Sequence, residues 1–377
     1  MNRQNLNQIF EAYIQKFEFL NNDKNEESYK WNAVWEFQKV FDLNAPGNTF
    51  VGMLREAKKA THNLIDSNRQ PFRGLIAIAD DDPEKARSLL LDLLEDDGGD
   101  LRARQDKIDA FLERCNALID EVSPGSHLYL NDQRSAMAYM FFFDPENHYL
   151  YKATEAKYMA DCIGFYDDWG TMNNFKLDIY HRFCDELISE IKACKPIMDI
   201  HRSRFEKPRY PMYEDESLHI LLFDIIYCAE EYGLYTGLKI DKITATDRKL
   251  YQERKAKAGA LYAELKKKEQ MMALLEEAQS YFADNLKPGV TVIHKTLGEL
   301  EVIRVSGDLL QAKIKDSGET KNYLVCASII NGLLKFDTDD FEERRTRYQE
   351  VLKYQRELPK WLTDAKAKYE PYAKYLS

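Results

Sequence analysis

Three residues near the middle of the chain have the types and the order of a metal-dependent nuclease centre. Asp144 is followed by Glu155 and Lys157, which together give a D…ExK pattern. In such a pattern the carboxylates can hold a magnesium ion and the lysine can help to activate water for attack on a phosphodiester. Thr154, however, is typical of a helix cap, and a helix beginning there places Glu155 and Lys157 in its first turn. The nuclease is therefore the alternative hypothesis, against ordinary charges at a helix end.

Other catalytic patterns are absent from the sequence. There is no GxxxxGK[ST] loop, no acidic Walker B strand and no GxGxxG, so nucleotide hydrolysis is not expected of this chain. The six cysteines contain no CxxC pair, and the seven histidines show no HxxxH, HxH or HExxH spacing. We expect buried free thiols, isolated histidines, and no cofactor or metal. A metal site assembled from residues distant in sequence stays open.

Two basic stretches have the composition of nucleic-acid contacts. Residues 248–268 carry eight Lys/Arg against two Glu, a net charge of +6, and residues 201–210 mix cations with Phe205 and Tyr210. Cations neutralise phosphates and aromatic rings stack on bases, so DNA or RNA is a predicted partner. The alternative for each stretch is a solvated helix face. The residues predicted to contact nucleic acid are Lys266, Lys267, Lys268, Arg202, Arg204 and, in the β-rich segment described below, His294.

The elements that must position these residues are mainly helices. Throughout residues 1–235 apolar side chains recur at helical spacing, which predicts a large helical N-terminal domain. The predicted helix over residues 132–143 ends in an all-apolar run and is expected deep in the core. Residues 195–211, which contain prolines and several cations, are predicted to form a basic loop.

Several short motifs in this helical region occur in the order found in a known family. The motifs are Tyr29-Lys-Trp, Phe50-x-x-Met-Leu, Asn63-Leu-Ile-Asp-Ser and Pro71-Phe-Arg-Gly-Leu-Ile. Their order resembles the leader region that precedes the motor in McrB-type (5-methylcytosine-specific) restriction AAA+ ATPases. The resemblance covers residues 1–235 and does not include the motor. It implies a recognition or docking domain of a bacterial restriction or anti-phage defence system, with an AAA+ ATPase or a nuclease as partner.

After residue 235 the sequence pattern changes twice. A long charged helix is predicted over residues 247–287, and its apolar residues from Leu261 to Phe282 have coiled-coil spacing, which predicts pairing within the chain or a homo-oligomer. Residues 288–336 show the period of two that is typical of strands, with turns between them, which predicts a small barrel. Residues 338–377 are helical again. We expect the two flanking helices to form an antiparallel stalk with the barrel at its tip.

The start of the β-rich segment resembles a known type of small module. Pro288-Gly-Val-Thr-Val-Ile-His-Lys-Thr-Leu-Gly-Glu-Leu-Glu-Val is similar to the opening of Tudor/SH3-like modules appended to some bacterial helicases. Leu297 stands where those modules usually have phenylalanine, and Leu300 stands where they have a second glycine. The resemblance implies an interaction module that binds protein or nucleic acid through its loops, and His294 is also expected to orient a turn.

Composition limits the remaining choices. A length of 377 residues suits two or three domains, and 44% hydrophobic with 12% aromatic residues is typical of a globular protein. The net charge of −11 argues against a generally basic surface but allows local patches. No signal peptide or membrane span is recognised, so a cytoplasmic location is expected. The sequence thus predicts a mainly α fold with a small SH3/Tudor-like β-barrel flanked by two long helices, in a non-enzymatic recognition or adaptor protein.

Overall fold

Helices form most of the regular structure, and one small sheet forms the rest. The computed structural model describes residues 1–65, 71–240 and 243–376. The chain divides into two compact units, Met1–Arg248 and Lys249–Ser377, called here the first and the second unit. Within the described ranges, no helix combines the length and apolar composition that crossing a membrane requires. The prediction of a mainly α fold with a small β part is confirmed.

The first unit consists of helices joined by short connections. Its α-helices in chain order are α1 (Arg3–Gln15), α2 (Phe17–Leu20), α3 (Tyr29–Val40), α4 (Gly47–Ala60), α5 (Arg73–Asp81), α6 (Pro83–Leu94), α7 (Leu101–Val122), α8 (Gln133–Phe143), α9 (Ala153–Cys162), α10 (Leu177–Ala193), α11 (Lys195–Glu206) and α12 (His219–Glu231). Short 3-10 turns lie at His127–Tyr129 and Met172–Asn174.

Local sequence accounts for where several of these helices begin. Asp82 caps α6 by accepting hydrogen bonds from two backbone N–H groups, and Pro83 occupies the first helical position, where no N–H is needed. The predicted loop over residues 195–211 is wrong for its first part, because α11 is a helix. Pro196 lies in the first turn of α11, where proline starts a helix instead of breaking one.

Two helices of the first unit are buried on nearly every side. Residues 135–142 of α8 and residues 219–226 of α12 are all buried. The expectation that the apolar helix over residues 132–143 lies deep in the core is confirmed. Large rings fill the space around these helices, and Trp31 and Trp169 are at most 1% exposed. Burial of such rings is the main stabilising contribution in this unit.

The second unit is a small sheet carried between helices. Its first element is α13 (Ala245–Asn285), which begins within the last residues of the first unit. The elements that follow are β1 (Thr291–His294), β2 (Gly298–Ser306), β3 (Leu309–Ile314), β4 (Thr320–Leu324), α14 (Val325–Ile330), β5 (Leu334–Phe336), α15 (Phe341–Lys353), α16 (Leu358–Tyr369) and a 3-10 segment at Glu370–Tyr375. The sequence pattern did not predict the short helix α14, because its six residues are too few to show helical periodicity.

The sheet is antiparallel throughout, with the strand order β4-β3-β2-β1-β5. Val292 in β1 pairs with Leu300 on one side and with Phe336 on the other. All three side chains are buried, so the alternation of the strands directs one face of the sheet into the core of the unit. The pairing of β2 with β3 shifts between Val302 and Arg304, a bulge that increases the local twist.

Helix α13 runs antiparallel to the C-terminal helices, and together they form the stalk. The contacting pairs along α13 are Tyr251–Tyr375, Lys257–Tyr372, Tyr262–Tyr369, Lys268–Trp361 and Glu277–Tyr348. The partner's number falls as the α13 number rises, which defines antiparallel pairing. Leu265, Leu275 and Phe282 are buried in this arrangement, so the apolar seam of α13 is covered by its own chain. The homo-oligomer through this seam stays a prediction.

Candidate nucleic-acid interface

Charge is unevenly divided along the stalk. Residues 249–268 and 358–376, called here the basic half, carry eleven Lys/Arg against four Asp/Glu, whereas residues 269–357 carry twelve against sixteen. Residues 1–248 are strongly acidic, with 30 Lys/Arg against 44 Asp/Glu. Because antiparallel pairing brings the two basic segments side by side, their positive charges act together on anything that approaches this end of the stalk.

The three predicted lysines of α13 differ in their surroundings. Lys266 is exposed and lies 2.9 Å from Glu269, a hydrogen bond that raises the pKa of Lys266 and keeps it cationic. Lys267 is exposed, and no described residue forms an ion pair with it. Lys268 is half-buried, with its ammonium 4.5 Å from the centre of the Trp361 ring. Lys267 is thus the most available of the three to a phosphate, while Lys268 also holds the stalk together.

Aromatic rings hold the basic half in register. Arg254 Nη1 donates to the Tyr375 hydroxyl at 3.0 Å, and Lys257 lies 4.6 Å from the centre of the Tyr372 ring. Tyr262 packs on Tyr369 with ring centres 5.3 Å apart. Cation–π contacts leave the positive charge in place, whereas an ion pair would neutralise it. The seam therefore stabilises the pairing without cancelling the basic character of this half.

The two predicted arginines of α11 point in opposite directions. Arg202 is 67% exposed in its side chain and lies 3.0 Å from Asp199, one turn away on the same helix. Arg204 is 1% exposed in its side chain and faces the core. Residues two apart on a helix lie on different faces, which explains the contrast. The structure therefore leaves Arg202 accessible to a nucleic acid and withdraws Arg204 from the surface.

Arg204 belongs to a buried network of charges centred on Asp224. Asp224 Oδ2 lies 3.1 Å from Arg204 Nη2 and accepts a hydrogen bond from the Tyr13 hydroxyl, while Oδ1 lies 2.5 Å from Lys30 Nζ. Glu27 Oε2 lies 2.7 Å from Lys30 Nζ, an ion pair that lacks the angles of a hydrogen bond. Two cations thus face two carboxylates, and the network is neutral as a whole.

The same network contains the best arrangement of metal-ligand types. Among the described residues, Glu27, Asp224 and Cys228 are the group of three whose ligand atoms all lie within 4.8 Å of one another. Lys30 Nζ already contacts all three, at 2.7, 2.5 and 3.8 Å. A metal ion would have to displace this ammonium from a fully buried position. The group is better explained as the binding site of the protein's own lysine.

His294 holds a turn of the sheet. It ends β1, is 6% exposed, and its Nδ1 accepts hydrogen bonds from the backbone N–H groups of Thr296 and Leu297, both at 3.1 Å. Burial lowers the pKa of His294, and nearby Lys321 lowers it further, which favours the neutral ring needed to accept those bonds. The ring orients the β1–β2 turn and has little surface for a nucleic acid.

The D…ExK residues have separate partners. Asp144 accepts a hydrogen bond from Asn147 at 2.8 Å, and Lys157 donates to Asp168 at 3.1 Å. Glu155 lies in the first turn of α9, which begins at Ala153. Neither carboxylate belongs to the group of potential metal ligands found among the described residues. The geometry gives these residues the roles of helix-end charges.

Sequence analysis missed the contribution of α16 and the burial of Arg204. The lysines of α16 are separated by other residues and form no dense run, so only the pairing with α13 reveals their contribution. The buried network did leave a signal, since Asp224 interrupts the apolar run from Ile220 to Cys228. A charge inside such a run indicates a buried partner, but the sequence does not say which one.

Comparison with known proteins does not add an assignment. The chain matches no family model, no curated protein and no solved structure.

Proposed function

We propose that the protein is a non-enzymatic binding protein that contacts the phosphate backbone of a nucleic acid through the basic half of the stalk. The observation that carries this proposal is the excess of eleven cations over four carboxylates on two paired helices of a chain whose net charge is −11. Positive charge concentrated against an acidic background orients a polyanion toward one part of the molecule.

The dimensions of the basic half suit a nucleic acid. Residues 249–268 form about 30 Å of helix at 1.5 Å per residue. Along B-DNA this length corresponds to roughly nine base pairs, each with two phosphates. Lysines on an exposed helix contact phosphates without reading bases, so binding is expected to depend little on sequence and strongly on salt.

The wider setting of the proposal comes from resemblance. The likeness of residues 1–235 to the leader of McrB-type AAA+ ATPases supports a role in a bacterial restriction or defence system, with a separate ATPase or nuclease as partner. The five short antiparallel strands within residues 291–336 support a Tudor/SH3-like module at the tip of the stalk. We propose that this module provides a second interaction surface through its loops.

The test is charge reversal at Lys266 and Lys267, which are exposed and do not hold the stalk together. Binding of the full chain to labelled single strands and duplexes of about 20 nucleotides is measured by fluorescence anisotropy between about 50 and 200 mM salt. Lys266→Glu with Lys267→Glu is expected to weaken duplex binding at least about tenfold and to reduce the slope of log K against log salt by about 2.

The matched control is Lys313→Glu with Lys335→Glu, which makes the same charge change on exposed lysines within strands β3 and β5, away from the loops of the sheet. This control is expected to change the affinity much less, because those lysines lie outside the basic half. Binding that does not depend on salt, or that falls equally in the control, would rule out the basic half as the contact.

A further inference from the structure

One aromatic side chain of the basic half is well exposed to solvent. Tyr262 on α13 is 41% exposed. Its ring contacts Tyr369, with ring centres 5.3 Å apart and ring planes inclined by 44°. A tilted contact of this kind covers only part of a ring, so a large part of the Tyr262 ring stays open. The other aromatic residues of the basic half are each partly covered: Tyr251, Trp361, Tyr369, Tyr372 and Tyr375.

Cations lie close to the Tyr262 ring. Lys266 follows it by one helical turn, and the Lys266 ammonium is 5.4 Å from the ring centre. Lys266 also pairs with Glu269, whereas the neighbouring Lys267 is exposed without such a partner among the described residues. The acidic residue closest in sequence, Glu264, is two positions from Tyr262 and therefore lies on another face of the helix. The open ring is thus surrounded by charges that suit a phosphate.

A glycine in the middle of α13 leaves space beside this ring. Gly259 precedes Tyr262 by one turn and lies on the same side of the helix. A Cβ added at Gly259 would meet no heavy atom within 4 Å, so no packing contact in the described part of the chain requires glycine here. Glycine inside a helix is destabilising relative to alanine. Close approach of a bound molecule to the helix backbone accounts for its presence.

A single strand of nucleic acid can use such a ring, and a duplex cannot. Each base of a duplex is stacked on its neighbours, so its faces are closed to a protein side chain. A single strand can turn a base onto a tyrosine, because its bases are not fixed in a double helix. Stacking of this kind strengthens binding about fivefold or more per base and depends little on which base is stacked.

We propose that the basic half binds single-stranded nucleic acid by stacking a base on Tyr262 while neighbouring phosphates contact Lys266 and Lys267. The inference rests on the function proposed above and adds the class of nucleic acid to it. Lys266 is exposed and has a flexible stem, so its ammonium can move from the ring to a phosphate when a base arrives. The space at Gly259 lets the sugar and base come close to α13.

Three probes of about 20 nucleotides separate stacking from charge: oligothymidylate, a duplex, and a strand of abasic deoxyribose phosphates. Binding of each probe to the full chain is measured by fluorescence anisotropy at about 100 mM salt. Oligothymidylate and the abasic strand carry the same phosphates, so the difference between their affinities reports the bases. The abasic strand is expected to bind about fivefold or more weakly, which is the effect of losing one stacked base.

Two substitutions on α13 test where the base stacks. Tyr262→Leu removes the ring but keeps an apolar, helix-forming side chain against Tyr369. It is expected to weaken oligothymidylate binding about fivefold or more, and to change binding of the other two probes by less than about twofold. Gly259→Gln fills the space beside the ring and is expected to weaken oligothymidylate binding too. The Tm should not fall with Gly259→Gln, because glutamine favours a helix more than glycine does.

The matched control is Tyr158→Leu in the first unit. Tyr158 is 39% exposed and packs on Tyr235 with ring centres 4.7 Å apart, so it resembles Tyr262 in exposure and in its contact with a second tyrosine. It lies outside the basic half, and its substitution is expected to leave the binding of all three probes unchanged.

The outcomes distinguish this inference from the proposed function. Oligothymidylate binding that is unchanged by Tyr262→Leu, or that falls equally for all three probes, overturns the stacking on Tyr262. Salt-dependent binding that is still lost with Lys266→Glu and Lys267→Glu then leaves the proposed function in place. Absence of salt-dependent binding by every probe overturns both.

Discussion

Replacing Asp224 with asparagine is expected to destabilise the first unit strongly while hardly changing its shape. Asp224 is fully buried, and its carboxylate contacts Lys30, Arg204 and Tyr13. Burial raises the pKa of Asp224, but the charges of Lys30 and Arg204 outweigh this effect and hold the pKa below its ordinary value. The carboxylate is therefore charged at neutral pH, and an amide in its place removes a full negative charge.

The size of the effect follows from the charge balance of the network. With Asp224→Asn, Lys30 and Arg204 face Glu27 alone, so the core gains one uncompensated positive charge. Removing one member of a buried ion pair costs about 3–5 kcal/mol. Since domains are stable by roughly 5–15 kcal/mol, we expect the variant to lose about a fifth or more of the unfolding free energy of this unit.

The assay uses the distribution of tryptophan. Trp31, Trp35 and Trp169 lie in the first unit, and Trp361 is the fourth and last tryptophan of the chain. In a Trp361→Phe background, tryptophan fluorescence during urea unfolding reports the first unit alone. An unchanged dependence of the free energy on urea concentration shows that the variant and its parent unfold by the same transition.

A double substitution tests whether the charge balance of the network determines the stability of the first unit. Lys30→Met with Asp224→Asn leaves one cation and one carboxylate, so neutrality is restored. We expect the double variant to lose at least about 2 kcal/mol less than the sum of the two single losses. A loss below about 1 kcal/mol for Asp224→Asn, or strict additivity in the double variant, would refute the account of a charge-balanced core.

Two further predictions concern the first unit and use the same unfolding assay. Burial lowers the pKa of His148 to about 4 and of His181 to about 3. As the pH falls, these histidines therefore take up protons near pH 6.5 in the unfolded chain, but only at lower pH in the folded chain. The unfolding free energy consequently falls as the pH drops toward 4. His181→Gln should reduce this loss by about 1 kcal/mol per pH unit between about pH 6 and 5, and an unchanged slope would contradict it. Gly74→Ala would place a Cβ 2.4 Å from the Tyr129 carbonyl oxygen and should cost about 1–3 kcal/mol. At Gly52 an added Cβ has no atom within 4 Å, so Gly52→Ala should stabilise the unit by about 0.5–1 kcal/mol. Equal effects of the two substitutions on the unfolding free energy would contradict this prediction.

Periodicity predicted those parts of the fold that local spacing determines. The run Met140-Phe-Phe-Phe is apolar on all sides of a helix, and α8 is buried accordingly. The alternation around Val292 and Leu300 is that of a strand with one buried face, and both residues point into the core of the second unit. These features depend on residues a few positions apart, which is the range over which a sequence pattern is informative.

Contacts between distant residues could not be predicted in this way. Lys30 and Asp224 are 194 positions apart, yet they form a fully buried ion pair. A charge in an apolar run indicates that some partner exists, and the fold decides which one it is. The pairing of α13 with α16 is likewise set by packing of Tyr262 on Tyr369, which neither segment shows by itself.

Burial also decides which of the two basic stretches can bind a long polyanion. Arg204 and Lys267 are equivalent in a count of charges, but Arg204 is buried and paired with Asp224, whereas Lys267 is exposed. A nucleic acid is bound by many exposed cations, and for this reason we propose the basic half, and not the surroundings of Arg204, as the contact. The choice between the two basic stretches thus follows from one physical distinction, between a charge that stays solvated and a charge that is already paired inside the fold.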